Sequence, residues 1–231
     1  RAVHLGEREC SLQRNRQKVW EEAPAPTLPS DTRQTLCTNA VALAERVGYR
    51  GAGTVEYLYD EKTSDVFFIE MNTRIQVEHP VTEAVTGVDL VAAQLRIAGG
   101  EALWLAQEDI STDGHAIEVR INAENPAKRF MPSPGEVTAY RPPPENLARF
   151  DTLLTQGCRI PPYYDSLIGK LIVHAQTRNA ALDTLARALD ELIIEGIDTT
   201  VALHKALVRA KSVRTGDIRT HWMEHWLETT P

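Results

Sequence analysis

The polar residues of greatest chemical interest recur at every second position along one segment of the chain. They follow directly after the apolar run 66–69, which we expect to be a buried strand. In an extended chain this spacing places all their side chains on one face, and such a row is costly to bury unless each group has a partner. Carboxylate and amide oxygens suit Mg²⁺ or Mn²⁺ together with bound phosphates, whereas the alternative is a solvated edge strand. The five residues are Glu70, Asn72, Arg74, Gln76 and Glu78.

A second carboxylate, Glu56, lies on a neighbouring predicted strand. Residues 51–59 and 66–72 are separated by a short polar loop and predict a β-hairpin. If the strands pair, Glu56 and Glu70 repel each other unless a cation lies between them. With Asn72 they offer three oxygen ligands for Mg²⁺; the alternative is two surface glutamates on opposite faces.

Arg74 and Glu78 suggest a second activity next to the first. A guanidinium binds a planar oxyanion such as carbonate or phosphate through two hydrogen bonds, and a neighbouring carboxylate can remove a proton. An Arg–Glu ion pair that only ties a loop is the alternative. His79 precedes Pro80 and is interpreted as a turn residue. The basic stretch 13–18 and Arg120 are each ambiguous alone, because short basic segments also occur on solvated surfaces.

The elements that must position these residues are predicted from apolar periodicity and from Gly and Pro. A Pro-rich connector at 21–29 precedes a helix that begins at Ser30 and ends at Gly48, with an apolar stripe that includes Val47. The Gly51–Gly53 segment predicts a close backbone approach rather than a phosphate loop. Further helices are expected at 89–98, 178–195 and 199–211, and strands at 115–123, 136–141, 149–153 and 167–174.

Composition bounds the class of protein. The 231 residues carry 32 acidic and 25 basic side chains, for a net charge of −7, which argues against general nucleic-acid binding. Three distant cysteines indicate a reducing, cytoplasmic setting. No apolar run approaches the ~20 residues of a membrane span. Because the chain begins at Arg1, in a strand-like stretch, we interpret it as a fragment. We predict two domains, at 1–105 and 106–231.

Residues 68–74 (FIEMNTR) are similar to the second nucleotide and metal signature of ATP-grasp ligases, and residues 75–83 (IQVEHPVTE) resemble the biotin carboxylase branch. Similar matches extend along essentially the whole chain, for example at 9–14, 48–56, 120–124 and 161–166. The resemblance implies an α+β fold. It comprises the carboxyl-terminal half of an ATP-grasp domain, an antiparallel sheet with helices, followed by a biotin carboxylase C-terminal domain.

The resemblance also implies a reaction. ATP phosphorylates bicarbonate to carboxyphosphate, which delivers CO₂ to biotin on a carrier protein, as in the first half-reaction of acetyl-CoA or acyl-CoA carboxylase in fatty acid synthesis. The cofactors are then ATP, bicarbonate, carrier-bound biotin and two Mg²⁺ or Mn²⁺ ions.

The residues matched to these roles fall into four overlapping sets. The metal would be held by Glu56, Glu70 and Asn72. ATP would contact Gln13, Arg16, Lys18, Glu56, Leu58 and Glu70. Bicarbonate would be bound by Lys18, Arg74, Gln76, Val77 and Glu78. The catalytic residues would be Lys18, Arg74, Glu78 as the base, and Arg120, which would bind biotin and stabilise its enolate.

Two departures qualify the match. Arg16 occupies a position where the family often has His, which puts nucleotide contact there in doubt. The family's amino-terminal domain, glycine-rich lid and phosphate-binding lysines would lie upstream of Arg1, so the fragment is expected to be inactive alone.

Expected partners are the biotin carboxyl carrier protein, a carboxyltransferase, and a second copy bound through the C-terminal domain. No nucleic acid or membrane is expected. The alternatives are the same module of urea or pyruvate carboxylase, or a non-catalytic dimerisation module.

Overall fold

The computed structural model describes residues 1–229, which form mixed helices and antiparallel strands. The helices α1 to α7 span Ser30–Arg46, His79–Thr86, Leu90–Ala98, Arg178–Glu191, Val201–Leu207, Lys211–Thr215 and Trp222–Thr229. The strands β1 to β14 span Gln13–Arg14, Gln17–Lys18, Trp20–Ala23, Thr54–Asp60, Asp65–Asn72, His115–Asn122, Glu124–Asn125, Met131–Pro132, Gly135–Glu136, Ala139–Arg141, Arg149–Thr152, Arg159–Ile160, Leu167–Ala175 and Ile193–Glu195. This content confirms the predicted α+β class.

The chain divides into two compact units that do not follow a single cut. The first unit contains Arg1–Arg8 and Ala23–Asp113, and the second contains Glu9–Glu22 and the chain from Gly114 onward. The last two residues of the predicted second domain, Thr230 and Pro231, lie outside the described residues.

The first unit contains the predicted hairpin, formed by β4 and β5. The strands pair antiparallel from Thr54 opposite Asn72 to Asp60 opposite Asp65, with an irregularity after Glu56. The close backbone approach predicted at Gly51–Gly53 is confirmed at Gly53. A Cβ there would lie only 3.1 Å from Met71 Cε and 3.3 Å from Asn72 O. This glycine lets the chain enter β4 against the end of β5.

The prediction that residues 66–69 are buried is wrong. Phe67, Phe68 and Ile69 are each about half exposed. Their strand pairs only with β4 in a two-stranded ribbon, and no third strand extends it in the described part of the chain. The predicted apolar stripe of α1 is likewise incomplete, because Val47 is exposed while Leu36 is buried.

Helix α2 was not predicted, and the prediction that the chain stays extended through Glu78 is wrong beyond Asn72. After β5 the chain leaves the extended conformation, and His79 is the first residue of α2. Pro80 favours this start because proline is tolerated in the first turn of a helix. The helix is held down by buried Pro80, Val81 and Val85.

The second unit is built on a four-stranded sheet in the order β11-β13-β6-β3. Alternate residues of β6 enter the main core, where they join the apolar face of α4, as the period of two in strands requires. The core residues of these two elements are Ile117, Val119, Ile121, Ala181, Leu182, Leu185, Ala188 and Leu189. Strand β3 corrects the predicted connector at 21–29, since residues 21–23 belong to the sheet.

Two further corrections concern the end of the chain. The helix predicted at 178–195 ends at Glu191, and the β-branched residues Ile193 and Ile194 continue as β14, which pairs with β10. The helix predicted at 199–211 ends at Leu207, and Ala210, with φ −63° and ψ 132°, separates it from α6. Within residues 1–229 no helix has the length and apolar character needed to span a bilayer.

Candidate functional site

The three predicted metal-binding residues lie together in the first unit. Glu56 and Glu70 are directly opposite each other in the β4–β5 register. Between them, Asn72 Nδ2 donates to Glu70 Oε1 at 2.9 Å and to Glu56 Oε1 at 3.3 Å. An amide donor thus stands where two carboxylates would otherwise repel each other.

The residue types are those that bind a hard divalent cation, although here the Asn72 amide directs its nitrogen to the two carboxylates and its oxygen to Arg74. Carboxylate and amide oxygens are the ligands that Mg²⁺ and Mn²⁺ prefer, and Glu56, Glu70 and Asn72 supply both kinds. Among the described residues there is no group of three or more His, Cys, Asp or Glu side chains that could hold a metal. A cation at this site would therefore need Asn72 and ligand oxygens in addition to the two carboxylates.

Gln76 links the predicted metal-binding residues to the predicted bicarbonate-binding residues. Its side chain is buried, and Nε2 donates to Glu56 Oε1 at 2.6 Å. Arg74 is exposed, with Nη2 donating to Asn72 Oδ1 at 3.1 Å and Nη1 to the Ile75 carbonyl at 3.2 Å. Glu56 is consequently shared between the predicted metal residues and the predicted bicarbonate residues.

Val77 and Glu78 form the turn that leads into α2. Glu78 immediately precedes the helix, and only 2% of its surface is exposed. His79 Nδ1 lies 2.8 Å from the Gln76 carbonyl, which fixes the turn. The predicted base is therefore held on a short, locally restrained segment rather than at the end of a strand.

Leu58 lies on β4 opposite Phe67, and both side chains are more than half exposed. The structure thus places this predicted ATP contact on the open apolar surface of the hairpin. This surface is on the same ribbon as Glu56 and Glu70.

In the second unit, the predicted nucleotide residues lie on the β1–β2 hairpin. Its two-residue turn, Asn15 and Arg16, has φ of 49° and 65°, as the tightest hairpin turns require. Gln13 and Lys18 are directly opposite each other, and Arg16 lies exposed at the tip. The guanidinium of Arg14 stacks 3.8 Å from the centre of the Phe130 ring, which anchors the hairpin to its own unit.

Arg120 lies in a row of charged side chains across the four-stranded sheet. It is opposite Lys170, which in turn is opposite Asp151. Arg120 Nε donates to Glu21 Oε1 at 2.7 Å, and Lys170 Nζ lies 3.6 Å from Asp151 Oδ2. Arg120 and Lys170, on the two central strands, are therefore flanked by Glu21 and Asp151 of the two outer strands. Burial raises the pKa of Asp151, but Arg149 and Lys170 outweigh it and lower the pKa overall.

The charged partners inside β3 were not predicted from the sequence. Glu21 pairs with Arg120, and Glu22 accepts hydrogen bonds from His115 at 2.7 Å and Arg178 at 2.6 Å. Burial raises the pKa of Glu22, and these two partners outweigh it, so the net shift is downward. Adjacent glutamates beside Trp20 were the available signal, because charged residues in a buried strand require partners.

Arg8 was also missed. Its guanidinium donates to Gln76 Oε1 at 2.7 Å and to Thr82 Oγ1 at 3.0 Å. No spacing pattern connects Arg8 with these residues, because they lie 68 and 74 positions away.

Two family models match the chain. "Carbamoyl-phosphate synthase L chain, ATP binding domain" matches residues 1–106, and "Biotin carboxylase C-terminal domain" matches residues 118–225. The ATP-binding model includes the hairpin and the segment through Glu78, whereas the second model includes Arg120.

Curated relatives support the same relationship. Biotin carboxylase 1 of Bacillus subtilis is 51% identical over 96% of this chain, which covers 49% of that protein. A pyruvate carboxylase subunit of Methanothermobacter thermautotrophicus is 50% identical over 97% of this chain, which covers 45% of that protein. The chain therefore spans about half the length of the curated relatives it matches.

Among solved structures, one similar chain is the biotin carboxylase domain dimer of Hydrogenobacter thermophilus 2-oxoglutarate carboxylase, in complex with MgADP, ADP and bicarbonate. Its TM-score is 0.93 at 47% identity, over 96% of this chain and 49% of that chain. Models, relatives and structure agree along nearly the whole sequence. The chain belongs to the biotin carboxylase family and corresponds to the carboxyl-terminal portion of its members.

Proposed function

We propose that the full-length protein containing this chain uses ATP and bicarbonate to carboxylate biotin on a carrier protein, through carboxyphosphate. The observation that supports this most directly is the linked cluster in the first unit. Glu56 there accepts hydrogen bonds from both Asn72 and Gln76 and lies opposite Glu70. The cluster thus contains two carboxylates suited to a metal and, next to them, an amide suited to an anion. The similar domain solved with MgADP and bicarbonate gives independent support.

On this proposal Glu56, Glu70 and Asn72 would hold two Mg²⁺ or Mn²⁺ ions. The bound metal would neutralise charge on the ATP phosphates. The nucleotide would in addition contact Leu58 in the first unit and Gln13, Arg16 and Lys18 in the second, as their matched positions suggest.

Bicarbonate is assigned to Arg74, Gln76, the backbone of Val77 and Lys18. Glu78 accepts its proton, which increases the nucleophilicity of the bicarbonate oxygen towards the γ-phosphate. The buried position of Glu78 next to α2 supports this role, because a restrained base is held within reach of one proton.

Arg120 is assigned to biotin, where its charge would stabilise the enolate that forms as the ureido nitrogen is deprotonated. Its ion pair with buried Glu21 supports this role, because the carboxylate fixes the position of the guanidinium in the sheet.

The wider setting follows from the same proposal. The partners are a biotin carboxyl carrier protein, a carboxyltransferase and a second copy bound through the C-terminal domain, residues 106–231, in the cytoplasm. Acetyl-CoA or another acyl-CoA is the proposed final acceptor, in fatty acid synthesis.

The relative from Methanothermobacter, which belongs to a pyruvate carboxylase, favours pyruvate as a second candidate acceptor. A urea carboxylase module and a non-catalytic dimerisation module are further alternatives. Incubating the purified assembly with radioactive bicarbonate and each acceptor in turn distinguishes the carboxylases.

The role assignments are tested by substitution in the full-length protein. We expect Glu78→Gln to lower biotin-dependent ATP cleavage by about 10²- to 10⁴-fold, because the base is lost. Arg120→Met should lower biotin carboxylation by about 10²- to 10³-fold. Glu61→Gln, in the exposed hairpin turn, is the control and should retain the wild-type rate. A wild-type rate in either Glu78→Gln or Arg120→Met would refute that residue's assignment.

A further inference from the structure

Arg8 contacts three polar side chains that belong to different segments of the first unit. Nη2 donates to Gln76 Oε1 at 2.7 Å and to Thr54 Oγ1 at 3.3 Å, and Nη1 donates to Thr82 Oγ1 at 3.0 Å. Thr54 begins β4, Gln76 follows β5, and Thr82 lies in α2. One guanidinium therefore joins the three segments that surround the candidate site.

The contacts of Gln76 determine which way its side-chain amide faces. Its oxygen accepts from Arg8, and its nitrogen donates to Glu56 Oε1 at 2.6 Å. A guanidinium has only donors, and an ionised carboxylate has only acceptors. A reversed amide would place donor against donor at Arg8 and acceptor against acceptor at Glu56. The two charged neighbours consequently permit one orientation only.

This orientation matters for an anion. The amide nitrogen carries two hydrogens, and one is donated to Glu56. A reversed amide would instead place its carbonyl oxygen where the nitrogen now lies, next to Glu56. A carbonyl oxygen in that position would repel a negatively charged ligand. The direction of the Gln76 amide therefore decides whether this side chain attracts or repels bicarbonate.

The charge of Arg8 adds a second effect. Its three hydrogen-bond partners are neutral, and none of the described carboxylates forms an ion pair with it. Nε of Arg8 is buried without a hydrogen-bond partner among the described residues. No described carboxylate therefore offsets the positive charge that the guanidinium presents to the Gln76 oxygen. Hydrogen bonds in a chain polarise one another, so the donor end of the amide becomes a stronger donor.

We propose that Arg8 is a positioning residue that locks the Gln76 amide so that its nitrogen faces bicarbonate and offers it the N–H that Glu56 does not use. The inference rests on the proposed function, in which Gln76 binds bicarbonate. Arg8 itself does not touch a substrate. It acts through Gln76 alone.

The test compares Arg8→Met, Arg8→Lys, Gln76→Ala and the double variant Arg8→Met/Gln76→Ala in the full-length protein. Two quantities are measured. One is the KM for bicarbonate and for ATP in biotin-dependent ATP cleavage. The other is the bicarbonate dissociation constant, obtained by calorimetry with Mg²⁺ and a non-hydrolysable ATP analogue. Arg33→Met is the matched control, because Arg33 is a half-buried arginine of the same unit that binds Glu7 and the Ala25 carbonyl instead.

We expect Arg8→Met to weaken bicarbonate binding by about 10- to 100-fold, as for loss of a charge-assisted contact that orients a ligand group. The KM for ATP should change much less. The double variant should be no worse than Gln76→Ala, because Arg8 has nothing left to orient. Arg8→Lys keeps the charge but not the planar fork, and should fall between Arg8→Met and wild type.

The outcomes separate this inference from the proposed function. If Gln76→Ala weakens bicarbonate binding while Arg8→Met matches Arg33→Met, the inference is wrong and the proposed function stands. If both Gln76→Ala and Arg8→Met bind bicarbonate normally, the bicarbonate assignment itself is wrong. Additive losses in the double variant would show that Arg8 acts by another route. Should Arg8→Met fail to fold in a melting experiment, Arg8→Lys against Arg33→Lys gives the same decision.

Discussion

At the residue scale, the structure shows how one carboxylate serves two predicted groups. Glu56 Oε1 accepts from Gln76 and from Asn72, and Asn72 Oδ1 accepts in turn from Arg74. Side-chain networks of this kind are sensitive to the loss of any member, because a buried polar group without its partner is expensive. The neighbours of Glu56 therefore matter as much as its own charge.

The Glu21–Arg120 pair gives a residue-scale prediction for stability. Glu21 is fully buried, and Arg120 is 18% exposed. We expect Glu21→Ala to lower the free energy of unfolding by about 3 kcal/mol, because it takes this carboxylate away from a largely buried cation. Urea denaturation followed by circular dichroism measures the change.

The control for this pair is Glu191→Ala, which breaks the exposed pair with Arg141 at 3.6 Å. An exposed ion pair contributes little to stability, so the unfolding midpoint of Glu191→Ala should stay near that of the parent chain. If the two variants unfolded at the same urea concentration, the buried pair would contribute no more than the exposed one.

At the element scale, α5 is fastened to β6 through Arg120's backbone. The Arg120 carbonyl accepts from Thr200 Oγ1 at 3.2 Å and lies 2.7 Å from His204 Nε2. His204 Nδ1 has no partner among the described residues, so the neutral ring with a proton on Nε2 satisfies this contact. Burial lowers the pKa of His204 to about 4, although the backbone contact opposes the shift.

This histidine predicts a pH dependence of stability. In the unfolded chain a histidine titrates near 6.5, so between pH 6.5 and 4 the unfolded state binds a proton that the folded state does not. Stability should therefore be complete above pH 6.5 and fall as the pH is lowered, by up to about 3 kcal/mol from this group. Unfolding free energies measured from pH 7.5 to 4 test this.

The control for the pH series is His204→Gln, whose amide can still donate to the Arg120 carbonyl. It should lose the part of the pH slope that belongs to His204, whereas His221→Gln, at an exposed position, should keep the whole slope. Equal slopes in His204→Gln and the parent chain would contradict the prediction.

At the scale of the whole molecule, the chain spans about half the length of its curated relatives. Its β4–β5 ribbon exposes Leu58, Phe67 and Phe68 beside the predicted metal carboxylates. Leu58 and Phe67 pair with each other, whereas Phe68 faces the other side of the ribbon. Leu58, a predicted ATP contact, therefore lies on an open surface of this ribbon.

We accordingly expect the 231-residue chain alone to be inactive and to bind ATP weakly or not at all. An open site leaves the phosphates hydrated, and the chain spans only about half of the length found in its relatives. Calorimetric titration of the folded chain with MgATP measures this, with the full-length protein as the positive control. Micromolar affinity in the isolated chain would overturn the expectation.

The sequence by itself determined the family, the α+β class, the hairpin and the main strands, because these depend on local periodicity and on long matching segments. It also brought Glu56, Glu70 and Asn72 together correctly, because strand pairing across a short loop makes them neighbours. It failed where local patterns compete, as at His79, where an apparent turn begins a helix. Only the tertiary structure decided the partners of Gln76 and Arg120, which lie 68 and 99 residues away. Spacing along a chain determines which side chains share a face, whereas contacts between distant segments depend on how those segments pack.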